Sequence, residues 1–208
     1  MDEQDGAAPG RARYRRSAGS PRGAARRRDL LERVTEDLER NGLVDFSLRR
    51  AARAAGTTHK VLLYHFDGVD DLLVQAVLRL REKRIERGLL AASSGLPGRS
   101  LGARVRDLWP VLSDERARVL DQAIGLAMFD PLRYAALGAE ATAQYLPALL
   151  SLCPGDWPEQ RKREVAEMVL AALRGFLIAR RTAGGDDDVR AGFEALVRAL
   201  EREEAADR

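Results

Sequence analysis

The chain is 208 residues long, 45% hydrophobic and 32% charged, with a formal net charge of +3. That balance fits a globular protein with a densely charged surface and room for one large or two small domains. One cysteine, Cys153, excludes an internal disulfide and fits a reducing cytoplasm; the interruption of the most apolar stretch, Tyr134 to Cys153, by Glu140, Gln144 and Pro147 excludes a membrane span.

The chain opens without an apolar signal segment, and residues 1–25 are expected to form a disordered, Arg-rich arm. Residues 1–28 carry eight arginines against Asp2, Glu3 and Asp5, a net +5, while the remaining 180 residues net −2. Basic excess gathered in one tail favours a nucleic-acid partner; a solvated leader is the alternative. From about Arg26 the apolar spacing is helical nearly everywhere, with no strand-type alternation and no internal repeat. Leu31, Val34 and Leu38 share one face of a first helix, stopped at Asn41-Gly42. Ser47 caps a short second helix ending at Gly56, and Thr58 caps a third, closed by Asp67-Gly68. Asp70 or Asp71 opens a long helix through about Ala92, whose apolar set includes Leu73, Val77, Leu80 and Ile85.

After a loop over 93–100, a helix begins near Leu101 and is expected to kink or end at Pro110. The next runs from about Asp114 to Phe129, capped by Ser113. Asp130-Pro131 supplies a cap and an N1 proline to another, with Pro147 expected to bend it. Asp156 and Glu159 have capping-box spacing ahead of a helix from about Pro158 to Thr182, which Gly184-Gly185 ends. Asp186, Asp187 and Asp188 open the last. The fold class is therefore all-α, with about nine helices: a three-helix domain over 26–69 and a larger helical domain over 70–208.

The chemistry sits in the pair of short helices. "SLRRAARAAGTTHKVLLYHF", residues 47–66, gives helix, Gly-containing turn, helix, which is the helix-turn-helix pattern. Ala51, Ala52 and Ala55 are small enough for close helix packing, and Leu62 and Phe66 form the inward stripe of the second helix. Thr58, His59, Lys60, Leu63 and Tyr64 are left to face outward, as donors, a cation and an aromatic suited to a DNA groove.

The segment from Leu30 to Leu73 resembles the DNA-binding domain of the tetracycline-repressor (TetR) family along its whole length. The resemblance rests on Gly42, Ser47, Leu48, Arg49, Ala52, Gly56, Thr58, Leu62, Tyr64, His65, Phe66, Asp71, Leu72 and Leu73 at matching positions. It implies a homodimeric regulator, most commonly a repressor, on a palindromic double-stranded operator. It implies that Ser47, Thr58, Tyr64 and His65 contact phosphate or line the groove. Arg49 and Lys60 would reach base edges, with His59 beside them; a solvated charge at Arg49 and a structural role for His65 are the alternatives. Three features depart from the family pattern. Val69 stands where a Lys is frequent, Phe46 where Thr is common, and Thr35 and Asp37 where apolar residues are usual. Residues 29–72 also hold six basic against nine acidic side chains, a net −3, which is meagre for a DNA binder.

In the last two helices, Val165, Val169, Leu173, Phe176 and Leu177, then Val189, Phe193, Leu196, Val197 and Leu200, form apolar stripes that two copies can join as a four-helix bundle. Val169, Leu173, Phe176, Phe193, Leu196 and Leu200 are the expected dimer interface, the alternative being that both stripes are consumed inside one protomer. The resemblance also implies a small-molecule cavity, for which Trp109, Met128, Phe129, Tyr134 and Tyr145 are the candidate lining, unless they serve only as core. A DNA-binding regulator without an effector is the second reading. Enzyme activity is not expected, nor any cofactor or metal: His59 and His65 lack a cysteine or carboxylate cluster, and Glu140, Glu164 and Glu167 lack histidine partners.

Overall fold

The structure, a computed structural model, describes residues 20–93, 98–183 and 187–206. Most of the expected arm, the centre of the loop after Ser93, and Gly184, Gly185 and Asp186 lie outside the described residues. Within them the regular elements are helices: α1 (Pro21–Asn41), α2 (Leu48–Ala54), α3 (His59–His65), α4 (Val69–Ser93), α5 (Leu101–Ser113), α6 (Arg118–Phe129), α7 (Pro131–Leu152), α8 (Glu159–Ala183) and α9 (Asp187–Ala205). No described helix is long and apolar enough to cross a membrane. The chain divides into two compact units meeting between Ala76 and Val77, inside α4 rather than ahead of it.

In the first unit, α1 starts five residues before the expected point. Ser20 caps it by accepting from the Gly23 N–H at 3.1 Å, and Pro21 takes the first helical position, where its missing N–H costs nothing. Residues 21–25 are thus helix rather than arm. Leu30, Val34 and Leu38 are buried as a stripe. The two polar departures in α1 are accommodated. Thr35 is buried with its hydroxyl donating to the Leu31 carbonyl at 2.7 Å. Asp37 accepts from Arg50 Nε at 2.7 Å, and the same guanidinium donates to the Val44 and Gly42 carbonyls at 2.6 and 2.8 Å, locking α2 and the preceding turn onto α1. Phe46 takes the face of Arg50, whose guanidinium carbon is 5.9 Å from the ring centroid.

In the second unit, α5, α7, α8 and α9 share one apolar core. Gly102 is required there: a Cβ at this position would lie 2.7 Å from the Val197 carbonyl oxygen, so only glycine lets α5 meet α9. Pro110 does not end α5, which continues to Ser113; Pro110 lies within its final turn. Asp114, not Ser113, then caps a 3-10 turn (Glu115–Ala117), accepting from the Arg116 N–H at 2.9 Å. Asp130 caps α7 as expected, accepting from the Arg133 N–H at 3.1 Å. The non-helical residue in α7 is Tyr134, with φ −112° and ψ 20°, not Pro147. Cys153 is buried, and that burial pushes its thiol above the ordinary range, as suits a packed rather than a reactive cysteine.

Candidate nucleic-acid interface and effector cavity

The turn between α2 and α3 is set by local chemistry. Ser47, extended at φ −150°, caps α2 by accepting from the Arg50 N–H at 3.3 Å. Ala51 and Ala55 are fully buried and Ala52 nearly so; with no bulk beyond Cβ, α2 and α3 pack closely. Gly56 sits at φ +60°, where a Cβ is penalised, and the Thr57 N–H closes the turn on the Ala52 carbonyl at 2.9 Å. Thr58 caps α3, accepting from the Val61 N–H at 3.4 Å. Leu62 and Phe66 turn inward, which leaves Arg49, His59, Lys60 and Leu63 exposed together with both cap residues.

Tyr64 and His65 differ from these. Both are half-buried, their rings meeting edge-on at 4.7 Å. His65 Nδ1 is buried and has no hydrogen-bond partner. Burial first, then the neighbouring Arg27 and Arg26, hold the imidazole below its ordinary range, so it is neutral near pH 7. Arg27 explains the position. Its Nε donates to the His65 carbonyl at 3.1 Å, its guanidinium lies over the Phe66 ring at 4.8 Å, and it also bonds Gln75. One arginine of the basic N-terminal segment is therefore spent on fastening α1 to the end of α3. Arg22 and Arg28 remain exposed on α1. With the arginines of α1 included, residues 21–72 carry ten basic against nine acidic side chains.

The second unit contains a partly open cavity of about 120 Å³ lined by α4, α5, α6, α7 and α8. Its walls are mostly leucine and isoleucine, but Arg81, Arg84 and Arg174 line it with Asp121 and Tyr145. Of the five residues expected to line a cavity, only Tyr145 does so. Trp109 packs instead against Phe193 and Phe176, with centroids 4.9 and 6.3 Å away. Met128 and Phe129 are 74% and 87% exposed, at the end of α6. Tyr134 stacks with Arg133, whose guanidinium carbon is 5.1 Å from its ring.

The arginines were the residues that sequence reasoning missed, although α4 held a signal for them. Positions 73, 77, 81, 84 and 88 repeat at helical spacing, so Arg81 and Arg84 fall on the inward stripe begun by Leu73 and Val77.

The apolar stripes of α8 and α9 face the core of their own unit. Val169, Leu173, Phe193 and Leu200 are buried there within one chain; Phe176 and Leu196 are partly buried against the same core. The outward face of α8 instead carries Met168, Ala171, Gly175, Ile178 and Thr182 at alternating spacings of three and four, and α9 exposes Ala191 and Ala195. No group of metal-binding side chains occurs among the described residues.

No family model and no curated protein matches the sequence. Solved structures do match. One is a candidate TetR-family transcriptional regulator from Rhodococcus sp., 16% identical, with 85% of this chain and 98% of that one aligned at a TM-score of 0.62. Another, from Mesorhizobium loti and of the same description, is 19% identical over 90% of this chain and 98% of that one, also at 0.62. A third is the multidrug binding protein EbrR complexed with proflavin, 19% identical over 83% of this chain and 98% of that one, at 0.61. The helix order, the capped helix-turn-helix and these matches lead to one conclusion: the chain has the fold of TetR-family transcriptional regulators.

Proposed function

We propose that this protein is a TetR-family transcription regulator that binds a two-fold symmetric operator as a homodimer and releases it in response to a small molecule. The observation that carries the reading is α3, capped by Thr58 and fixed inward by Leu62 and Phe66, which leaves His59 and Lys60 exposed beside Arg49 of α2. Arg49 and Lys60 read base edges in the major groove. Ser47 and Thr58 each use an oxygen lone pair in capping, which leaves the hydroxyl proton for a phosphate oxygen. Tyr64 and His65 border the groove, His65 as a neutral donor rather than a cation.

The second copy sits on the outward face of α8 and α9, around Met168, Ala171, Gly175 and Ile178, with Phe176 and Leu196 at its margin. The small residues on this face allow close helix approach, so two α8–α9 pairs form a four-helix bundle. The cavity of the second unit supports the effector, and a structure similar to this one was solved with proflavin.

Selection from a pool of random duplexes tests the proposal. Enrichment of a palindrome whose half-site centres lie about 34 Å apart, or a multiple of that, is the expected result. No enrichment, or a single unrepeated half-site, would reject dimeric operator binding. Met168→Asp is expected to yield monomers in sedimentation and to abolish the palindrome.

A further inference from the structure

The cavity of the second unit holds guanidiniums that no carboxylate among the described residues is shown to hydrogen-bond. Arg81 is 1% exposed and Arg84 3%. Arg81 donates to the Leu137 carbonyl, while Arg84 donates to the Leu112 carbonyl and, at 3.4 Å, to the Tyr145 hydroxyl. Arg174 donates to the Thr142 hydroxyl, at 3.2 and 3.3 Å. Arg81 Nη1 and Arg84 Nε are buried and have no partner at all. The one carboxylate in the cavity wall, Asp121, is committed to Arg181 at 3.0 Å. Glu140 acts on Arg81 only through its field, from an exposed position on α7.

Two buried guanidiniums with neutral partners in a largely apolar cavity, and a third at its wall, are costly to hold there, and an arginine cannot escape the cost by losing its proton. The group that answers them is an anion with oxygens in the plane of a guanidinium fork. The rest of the wall is hydrocarbon, so the anion must carry an apolar body. The cavity, about 120 Å³, is smaller than the roughly 150 Å³ of an apolar cavity that holds one benzene ring, but it is partly open, so a compact body can reach its mouth while the head group lies inside.

We propose that the effector is an organic carboxylate with a compact apolar body, its head group held by Arg81, Arg84 and the Tyr145 hydroxyl. This rests on the reading of the cavity as the effector site. Arg174 supplies a third positive charge, and Leu108, Leu120 and Leu173 receive the apolar part.

The test is calorimetric titration of the full chain with two matched series: isobutyrate, benzoate and phenylacetate, and the corresponding amides. Carboxylates are expected to bind at least about tenfold more tightly than their amides, because the amide leaves the guanidiniums unneutralised. Arg81→Met and Arg84→Met are each expected to lose that preference. Equal binding of acids and amides would overturn the carboxylate class while leaving the cavity as an effector site. Binding of neither series would overturn the proposal and count against the effector reading as well. Competition of inorganic phosphate or chloride with the same strength as benzoate would show an adventitious ion only, and would also overturn it. Since the acid–amide comparison uses the unaltered protein, it holds even if a variant fails to fold.

Discussion

Each unit buries arginine, but on different terms. In the helix-turn-helix unit, Arg50 meets the carboxylate of Asp37 and two main-chain carbonyls, so its charge and its donors are matched within the fold. In the larger unit, Arg81 and Arg84 meet carbonyls and a phenol, and each keeps an unpartnered N–H. A paired buried cation is a fastening: it sets where α2 rests on α1. An unpaired one is a liability to the ligand-free protein and an advantage when an anion arrives. The difference separates charge used to build from charge held for binding.

Stability separates the two kinds of arginine most strongly. Arg50→Met strands Asp37 in a largely buried position and is expected to cost about 2–3 kcal/mol in urea unfolding. Arg81→Met removes an uncompensated charge and is expected to change ligand-free stability by less than about 1 kcal/mol, or to raise it. Equal losses at both positions would mean that Arg81 is also a fastening.

The next effect lies on DNA. Arg49→Ala or Lys60→Ala is expected to cost about 1–3 kcal/mol at particular base pairs of the selected duplex, relaxing its sequence preference. Ser47→Ala is expected to weaken all duplexes alike. Identical specificity profiles for the three variants would reject the division between reading and gripping. The segment ahead of α1 holds Arg11, Arg13, Arg15 and Arg16 against three acidic residues, and the cut must respect the Ser20 cap. Deleting residues 2–19 is expected to change the log–log salt slope of binding by about 0.9 for each phosphate the segment neutralises, and an unchanged slope would make that segment a bystander.

The smallest effect comes from His65. Its folded-state value is lowered, so the unfolded chain takes up the proton first as pH falls. Stability is expected to be fully present above the ordinary histidine value of about 6.5, and to decline from there down to the lowered folded value. His65→Phe is expected to flatten that part of the curve. The measurement is the urea midpoint between about pH 7.5 and 5.5, the span in which an ordinary histidine titrates.

The first unit was far more legible in the sequence than the second. Short capped helices carry their own punctuation: Ser47, Gly56 and Thr58 each do one local job, and the structure shows the hydroxyls capping and the glycine at positive φ. An amphipathic stripe carries less. Val169, Leu173 and Phe193 announce only that a face is buried, and whether by another helix of the same chain or by a partner is decided in three dimensions. The cavity was least legible, because aromatic content was the wrong guide. Phe129 is a surface residue, Trp109 is partly buried against the core, and the polar lining comes largely from arginines that look like solvated charges when read along the chain. Asp37 was a departure from the family pattern whose reason, Arg50, lies thirteen positions away.

Linkage between the two units is the most direct test of the central claim, that occupancy of the arginine-lined cavity governs DNA binding. The measurement is fluorescence anisotropy of the selected duplex, titrated with protein in the absence and in the presence of saturating carboxylate from the series above. The account predicts that the carboxylate weakens DNA binding by about 1–3 kcal/mol, and that the duplex weakens carboxylate binding by the same factor, as reciprocity requires. It further predicts that Arg84→Met binds DNA normally and ignores the acid. DNA affinity that does not move while the acid saturates the protein would contradict it.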